Sequence, residues 1–560
     1  MKDMSYCLGQ GGGTDPKITP EEARLWKSLG ATSVESYVTW QSAEDAGRDR
    51  WDWSVWDSVA ETLKAAGLGW VPFLIAGPAY ATPAWYRESL GTPCRCAEHG
   101  TDSKIESLWS PRIMEYAERF MKAFAGRYDT GGLIESVLLG IQGDYGEAIY
   151  SVSGGGWTFE LPGEYHNHLG FWCGEEPARE AFRRHIVSKY GTLAAVNKAW
   201  KTSFTDESGI AYPFDSEESK ADLMRRLPGD PHLRRRWLDF VAWYRLSMTE
   251  YAGKWMEAAR RAFPDRQIYL CTGGISLPEM GSDFSAQSRT AARYGGGVRI
   301  TNEGSDYASN FTVTRQVATA GRYYGAYFGF EPASVENETG VAARIYNAAA
   351  SGADQLHDYA YNMSAKSMQK AQRQSIGALQ KRSPAAPAAV FYPSVSLAIS
   401  PSDWYQRAAR LRGFTDYDML CETLIADGAL EKYRILIAFD EPWMEEETAR
   451  AITEWTEKGG RLLWIGREFS RTVEGRAVVF RDAVRVSGFE DLAGPLEKLL
   501  SETQTCWHAV TDNGVYLTQI EPGRYLIFNP SSADKVVFLY KNWLMQTVCA
   551  RAGAITDYVL

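Results

Sequence analysis

Two carboxylates, Glu147 and Glu331, stand where chemistry could be done. Each closes a short apolar run. Val137-Leu-Leu-Gly-Ile141 leads into Gln142-Gly143-Asp144-Tyr145-Gly146-Glu147, and Ala326-Tyr-Phe-Gly-Phe330 leads into Glu331-Pro332. An apolar run of this length is the pattern of a strand covered on both faces. A strand that ends in carboxylates and glycines is the pattern of an active-site rim on a parallel barrel. One such end could be a turn with solvated acids. Two, on separate strands, match what cleavage of a glycosidic bond requires: one carboxyl protonates the leaving oxygen and the other attacks or activates water. The acid of such a pair, here Asp144 or Glu147, needs a pKa raised by apolar or like-charged neighbours.

The elements that must position these groups alternate along the chain. Strands are expected at 4–10, 32–39, 68–76, 137–141, 267–272, 298–301, 326–331 and 355–359. Helices are expected at 20–29, 53–66, 111–128, 237–263 and 366–379. Thr19 reads as the cap of the first, with Pro20 and two acids in its first turn. Eight such units predict an α/β fold, a (β/α)8 TIM barrel over 1–382. Residues 160–265 break the rhythm and read as a helical insertion after the fourth strand. Ser383-Pro-Ala-Ala-Pro-Ala-Ala389 has linker composition. A smaller α/β domain follows over 384–495, with strands near 389–391, 435–439 and 461–465. It shows no G-x-G-x-x-G, so nucleotide binding is not expected. Short alternating runs at 514–519, 524–528 and 535–540 predict a small C-terminal antiparallel β domain over 496–560.

Composition narrows the class. A net charge of -10 disfavours nucleic acid and anionic membranes as partners. No run approaches the roughly 18 apolar residues of a membrane span. The first residues carry no apolar signal segment and the eight cysteines are scattered, so a cytoplasmic protein with reduced thiols is expected. The 20 Trp and 30 Tyr suit a sugar cleft, as they also suit a large core.

Particular stretches carry a family resemblance. Trp51-Asp-Trp-Ser-Val-Trp-Asp57, Leu63-Lys-Ala-Ala-Gly-Leu-Gly-Trp70 and Thr82-Pro-Ala-Trp85 resemble the first third of glycoside hydrolase family 42, the β-galactosidases. The irregular segment from Glu180 to Trp200 resembles that family's insertion, and Ala348-Ala-Ala-Ser-Gly-Ala-Asp354 fits its approach to strand eight. The domain after the linker resembles the family's trimerisation domain, an amidotransferase-like α/β fold without that activity. The resemblance implies a retaining exo-β-glycosidase that acts on a small carbohydrate, needs no organic cofactor and forms a homo-oligomer, with a homotrimer as the family's form. It places the nucleophile at Glu331. The family ends strand four in Asn-Glu-Tyr, whereas the Gly146-Glu147 here is similar to β-amylases, a resemblance that implies Glu147 as the acid, with Asp144 its rival. An inverting hydrolase and a non-catalytic carbohydrate-binding barrel therefore stay open.

Position at strand ends and in the loop after strand three supplies the remaining candidates. Gln142, Asp144, Asn302, Glu303, Asp358 and Tyr359 close strands and are expected to bind sugar hydroxyls, and Trp85 is a candidate stacking platform. His357 is expected in the core or rim, and Glu336 and Glu338 in solvent. The family often carries a cysteine zinc cluster, and Cys94, Cys96 and Cys173 fall in comparable regions with His99 nearby. That set is incomplete for tetrahedral zinc. No catalytic metal is expected, and those cysteines mark where a structural one would sit.

Overall fold

The computed structural model describes residues 4–9, 16–150, 166, 168–275, 277–301, 304–331, 334–503, 508–510, 513–541 and 544–560. Eight parallel strands close a barrel: β1 (Ser5–Gly9), β2 (Ser33–Thr39), β3 (Gly69–Ile75), β4 (Ser136–Gly140), β5 (Gln267–Thr272), β6 (Gly297–Thr301), β7 (Tyr327–Glu331) and β8 (Gln355–Tyr359), with β1 pairing both β2 and β8. All eight strands stand where the sequence puts them, within one residue at each end.

The helices form for local reasons. In Pro20–Ser28 the Thr19 side chain accepts from Glu22 N and Glu22 answers on the Thr19 amide, a capping box. Ser54–Ala66 stops at Gly67, whose φ of 65° suits a residue without Cβ. Between β4 and β5 stand the helices Glu176–Tyr190, Leu193–Trp200, Glu217–Arg226 and Pro231–Ala262. The last begins six residues before the expected 237. Asp230 caps the amides of His232 and Leu233, and Pro231 takes the first turn. Its charged start escapes an apolar-periodicity reading because it faces the next domain: Arg234 Nε donates to Val473 O, Arg235 pairs with Glu445 and Glu474, and Trp237 Nε1 donates to Ala398 O.

That next domain is a five-stranded parallel sheet in the order Asp418–Cys421, Ala389–Tyr392, Ile435–Phe439, Arg461–Ile465, Val484–Val486. Numbered along the chain this is 2-1-3-4-5, a doubly wound order. Helix Ala493–Thr503 runs across the expected boundary at 495, and its Leu496, Leu499 and Leu500 pack in the same core as Val390 and Ile437. The C-terminal part holds a three-stranded antiparallel sheet (Tyr516–Glu521, Arg524–Asn529, Ala554–Val559) and a hairpin (Lys535–Lys541, Leu544–Ala550). No helix of the described residues is long and apolar enough to cross a membrane.

Candidate active site

Alternation along the strands decides which side chains face the barrel interior. On β1, β2, β6, β7 and β8 it brings Cys7, Glu35, Arg299, Glu331 and His357 together, all buried. Arg299 Nη2 lies 2.8 Å from Glu35 Oε2, and Arg299 Nε lies 2.8 Å from Glu331 Oε1. His357 Nδ1 stands 3.0 Å from Glu35 Oε2 and also contacts Arg299 Nη2. One guanidinium therefore bridges two carboxylates. Burial raises both acids above the usual carboxylate range, Arg299 opposes the rise, and Glu35 adds to it at Glu331. Burial, with the neighbouring Arg299, holds His357 well below its ordinary value, so the ring is neutral. With one cation for two raised acids, the pair retains a proton near neutral pH.

Glu147 is held differently. The chain after β4 doubles back: Ile141 N donates to Gly146 O, and Tyr145 N donates to Glu147 Oε2 at 3.0 Å. Gly143 has φ of 64°, and a Cβ there would stand 2.6 Å from Glu147 Oε2; Gly146 has φ of 108°. Both glycines are required by the turn that presents the carboxylate. Ala148 N donates to Cys271 O on β5, and Gln287 Nε2 donates to Ala148 O, so the far side of the turn is pinned. Glu147 is half-buried. Burial pushes its carboxyl up to about 7, the backbone amides oppose this, and the charges of Asp144 and Glu331 add to it. Glu147 and Glu331 thus share one mouth. The buried Cys271 thiol feels both, Glu331 first, and Tyr37 faces Tyr80, Tyr359, Glu35 and Glu147.

The other expected residues divide. Asp144 is buried beside Glu147. Tyr359 lies at the mouth with Tyr37 and stacks on Tyr361 at 4.9 Å. Asp358, one position earlier on β8, turns outward to the helix layer, where it accepts from Arg344 Nη1 at 2.8 Å and Asn362 Nδ2 at 2.9 Å. Gln142 Nε2 donates to Glu106 O behind the turn. Trp85 donates to Glu44 O and packs edge-on against Trp40. Asn302 and Glu303 lie outside the described residues. Glu336 and Glu338 are exposed, as expected. Cys96 stands with His99, His166 and His168, a set that does not include Cys94 or Cys173. Sequence reasoning passed over Glu35 and Arg299. Their signal was there: Ser33-Val-Glu-Ser-Tyr and Val298-Arg-Ile-Thr each put a charge inside a strand that the barrel buries.

The model of glycosyl hydrolase family 14 matches residues 95–276, about a third of the chain, and this span contains the Glu147 turn. A thermophilic beta-amylase of Thermoanaerobacterium thermosulfurigenes is 27% identical over 264 residues, 45% of this chain and 45% of that protein. A beta-galactosidase of Thermus thermophilus is 29% identical over 191 residues, 33% of this chain and 25% of that protein. The matched region spans less than half the length of either relative. A solved GH42 beta-galactosidase from G. stearothermophilus superposes with a TM-score of 0.69 at 14% identity, covering 98% of each chain. At that identity the likeness is one of fold. The expected likeness to family 42 is therefore one of fold and runs nearly the whole chain, while the family-model match in sequence is to family 14 and confined to residues 95–276, within the first half.

Proposed function

We propose that this chain is a glycoside hydrolase whose chemistry takes place between Glu147 and Glu331. The observation that carries the reading is the pairing of two carboxyls at one barrel mouth with different support. Glu147, raised to about 7 by burial, is a group that can still hold a proton near neutral pH and give it to a leaving oxygen. Glu331 has Arg299 Nε at 2.8 Å, and the proton shared with Glu35 can rest on Glu35, leaving Glu331 the anion that attacks. The finer reading is a retaining exo-β-glycosidase, on a β-galactoside or related β-glycoside, working by double displacement. Glu147 protonates the leaving oxygen, then takes the proton of the water that releases the sugar from Glu331. Tyr37 and Tyr359 offer ring faces to the sugar.

The family 14 match favours a second reading, because it spans the turn that carries Glu147. There Glu147 is still the acid, and Glu331 activates water for inversion. A panel of nitrophenyl glycosides tests the class, and proton NMR of the first-formed sugar separates the mechanisms. A β-anomer from a β-glycoside supports retention, and an α-anomer excludes it. Hydrolysis of none of the panel, with binding intact, would leave the non-catalytic barrel.

The 384–495 domain is proposed to join copies of the chain into a homo-oligomer, the trimer being the form the family resemblance implies. Light scattering at micromolar concentration tests this, and a monomer mass overturns it.

A further inference from the structure

We propose that a cavity of about 570 Å³ beside the barrel mouth is a second sugar-binding site, which holds the leaving-group end of a neutral oligosaccharide while its terminal sugar lies between Glu147 and Glu331. This rests on the glycosidase reading above and adds to it the part of the substrate beyond the bond that is cut.

Three segments wall the cavity. They are the helix Trp40–Glu44 that follows β2, the helix Ala84–Ser89 in the loop after β3, and the hairpin of Pro93–Arg95 and Asp102–Glu106 beyond it. All three follow the carboxyl ends of barrel strands, so the cavity lies on the face that carries Glu147 and Glu331. Its side of that face is the acid's side. β3 pairs with β4, which runs into the Glu147 turn, and lies opposite β7, which carries Glu331. Glu106 O of the hairpin accepts from Gln142 Nε2 at 3.1 Å, at the start of the Glu147 turn. An acid stands beside the leaving oxygen. The sugar units that follow that oxygen therefore leave the mouth toward this cavity.

The wall selects the class of ligand. The volume falls in the range of ligand pockets, about 300–1,000 Å³. Arg87 and Lys104 share the wall with Asp45, Glu88 and Glu106, so neither sign of charge prevails. An anion or a cation would meet repulsion as well as attraction there. A sugar hydroxyl donates and accepts, and mixed donors and acceptors suit it. Two further wall atoms, Gln41 Oε1 and Ser103 Oγ, are buried with no hydrogen-bond partner among the described residues. Ser103 is only 5% exposed. A buried polar group left unpaired costs stability, and two on one cavity wall mark hydrogen bonds that a ligand would complete.

The wall is also set in advance. Arg87 Nη1 donates to Ala79 O at 2.9 Å and to Thr82 O, which fixes its guanidinium against the loop after β3. The Glu106 carboxyl accepts from Tyr86 Oη at 3.0 Å and from Thr92 N at 3.2 Å. Little ordering is then left for binding to impose. No bond is made or broken in this cavity. Its contribution is binding energy from a part of the substrate remote from the reacting carbon.

The test compares substrates with and without that remote part. The probes are β-1,4-linked galacto-oligosaccharides and α-1,4-linked malto-oligosaccharides, each from the disaccharide to the hexasaccharide, beside nitrophenyl glycosides. In whichever series is cut, kcat/KM should rise about tenfold or more from the disaccharide to the longer members. Ser103→Ala and Lys104→Ala should flatten that rise and leave kcat/KM on nitrophenyl glycosides within about twofold of wild type. Ser103→Ala should keep or raise Tm, since its hydroxyl has no partner to lose, whereas a structural role would lower Tm. Calorimetry with the hexasaccharides on Glu331→Gln, which does not turn them over, should show binding that Ser103→Ala weakens about fivefold or more. Should Ser103→Ala not fold, Lys104→Ala and the exposed Glu88→Ala carry the same test. A flat dependence on length in an enzyme that cuts nitrophenyl glycosides overturns this proposal and leaves the glycosidase reading standing. A rise that survives the substitutions overturns it as well. Hydrolysis of no glycoside, with hexasaccharide binding that Ser103→Ala weakens, keeps the site and removes the glycosidase reading. Neither hydrolysis nor such binding removes both.

Discussion

Glu147 and Glu331 are the same residue type at the ends of two strands of one barrel, and they are held by opposite means. Glu331 belongs to a strand, and its carboxylate is fixed by a buried guanidinium from the neighbouring strand. Glu147 belongs to a turn that two glycines make possible, and its carboxylate is met by a backbone amide. An ion pair with Arg299 favours the charged form at Glu331, against burial. Burial is nonetheless the largest influence at both and raises both; at Glu147 only backbone amides oppose it. On the proposed reading, with the shared proton resting on Glu35, these equal side chains become a fixed charge and a movable proton. The sequence supplies the two glutamates, and their surroundings supply the division of labour.

The comparison can be broken most severely at the fixed charge. Glu331→Gln should lower kcat/KM on every glycoside on the order of 10⁴-fold or more, because no other group replaces the nucleophile. A variant within about tenfold of wild type would remove Glu331 from that role. At the movable proton the loss should depend on the substrate. Glu147→Gln should cost about 10²–10⁴-fold on unactivated glycosides. It should spare the first step where the leaving group is very acidic, and azide should restore the second. If Asp144→Asn shows this pattern and Glu147→Gln does not, the acid is Asp144.

Arg299→Lys keeps a charge but loses the planar fork that reaches two carboxylates at once. It should cost on the order of 10²-fold in kcat/KM through misplacement of Glu331. With less cationic support the Glu331 pKa rises, so the acid limb of the pH profile should move to higher pH. A pH profile unchanged in shape would show that Arg299 only fills space.

The smallest effect concerns stability. A folded-state pKa of about 7 against an ordinary 4.5 means that the folded chain binds the Glu147 proton more tightly than the unfolded chain does. Glu147 therefore lowers stability progressively as pH rises from 4.5 to about 7, and by a constant amount above. Glu147→Gln should be more stable than wild type at pH 8 by about 1–3 kcal/mol and close to it at pH 4.5. Denaturant unfolding at the two pH values reads the difference, and an equal effect at both would mean that Glu147 is not raised. In the wild type the same proton should make kcat/KM fall as pH rises beyond about 7.

The sequence by itself determined the eight barrel strands, the helical insertion and the two carboxylate-bearing strand ends. These follow from local causes: apolar runs of strand length, caps such as Thr19, and glycines such as Gly143 and Gly146 where a turn needs them. It also carried, unread, the charges of Glu35 and Arg299 in mid-strand. What only the tertiary structure decided is direction and company. Asp358 and Tyr359 are neighbours in sequence, yet strand alternation sends one to Arg344 in the helix layer and leaves the other at the mouth. Glu35 and Arg299 lie far apart in sequence, and barrel closure makes them an ion pair at 2.8 Å. Cys96 could be matched by spacing with Cys94 and Cys173, but folding gives it three histidines, two of them about 70 residues away. Spacing along a chain fixes which side chains share a strand or a turn. Which of them meet across the barrel, and whether water is left between them, depends on packing that no single stretch of sequence contains.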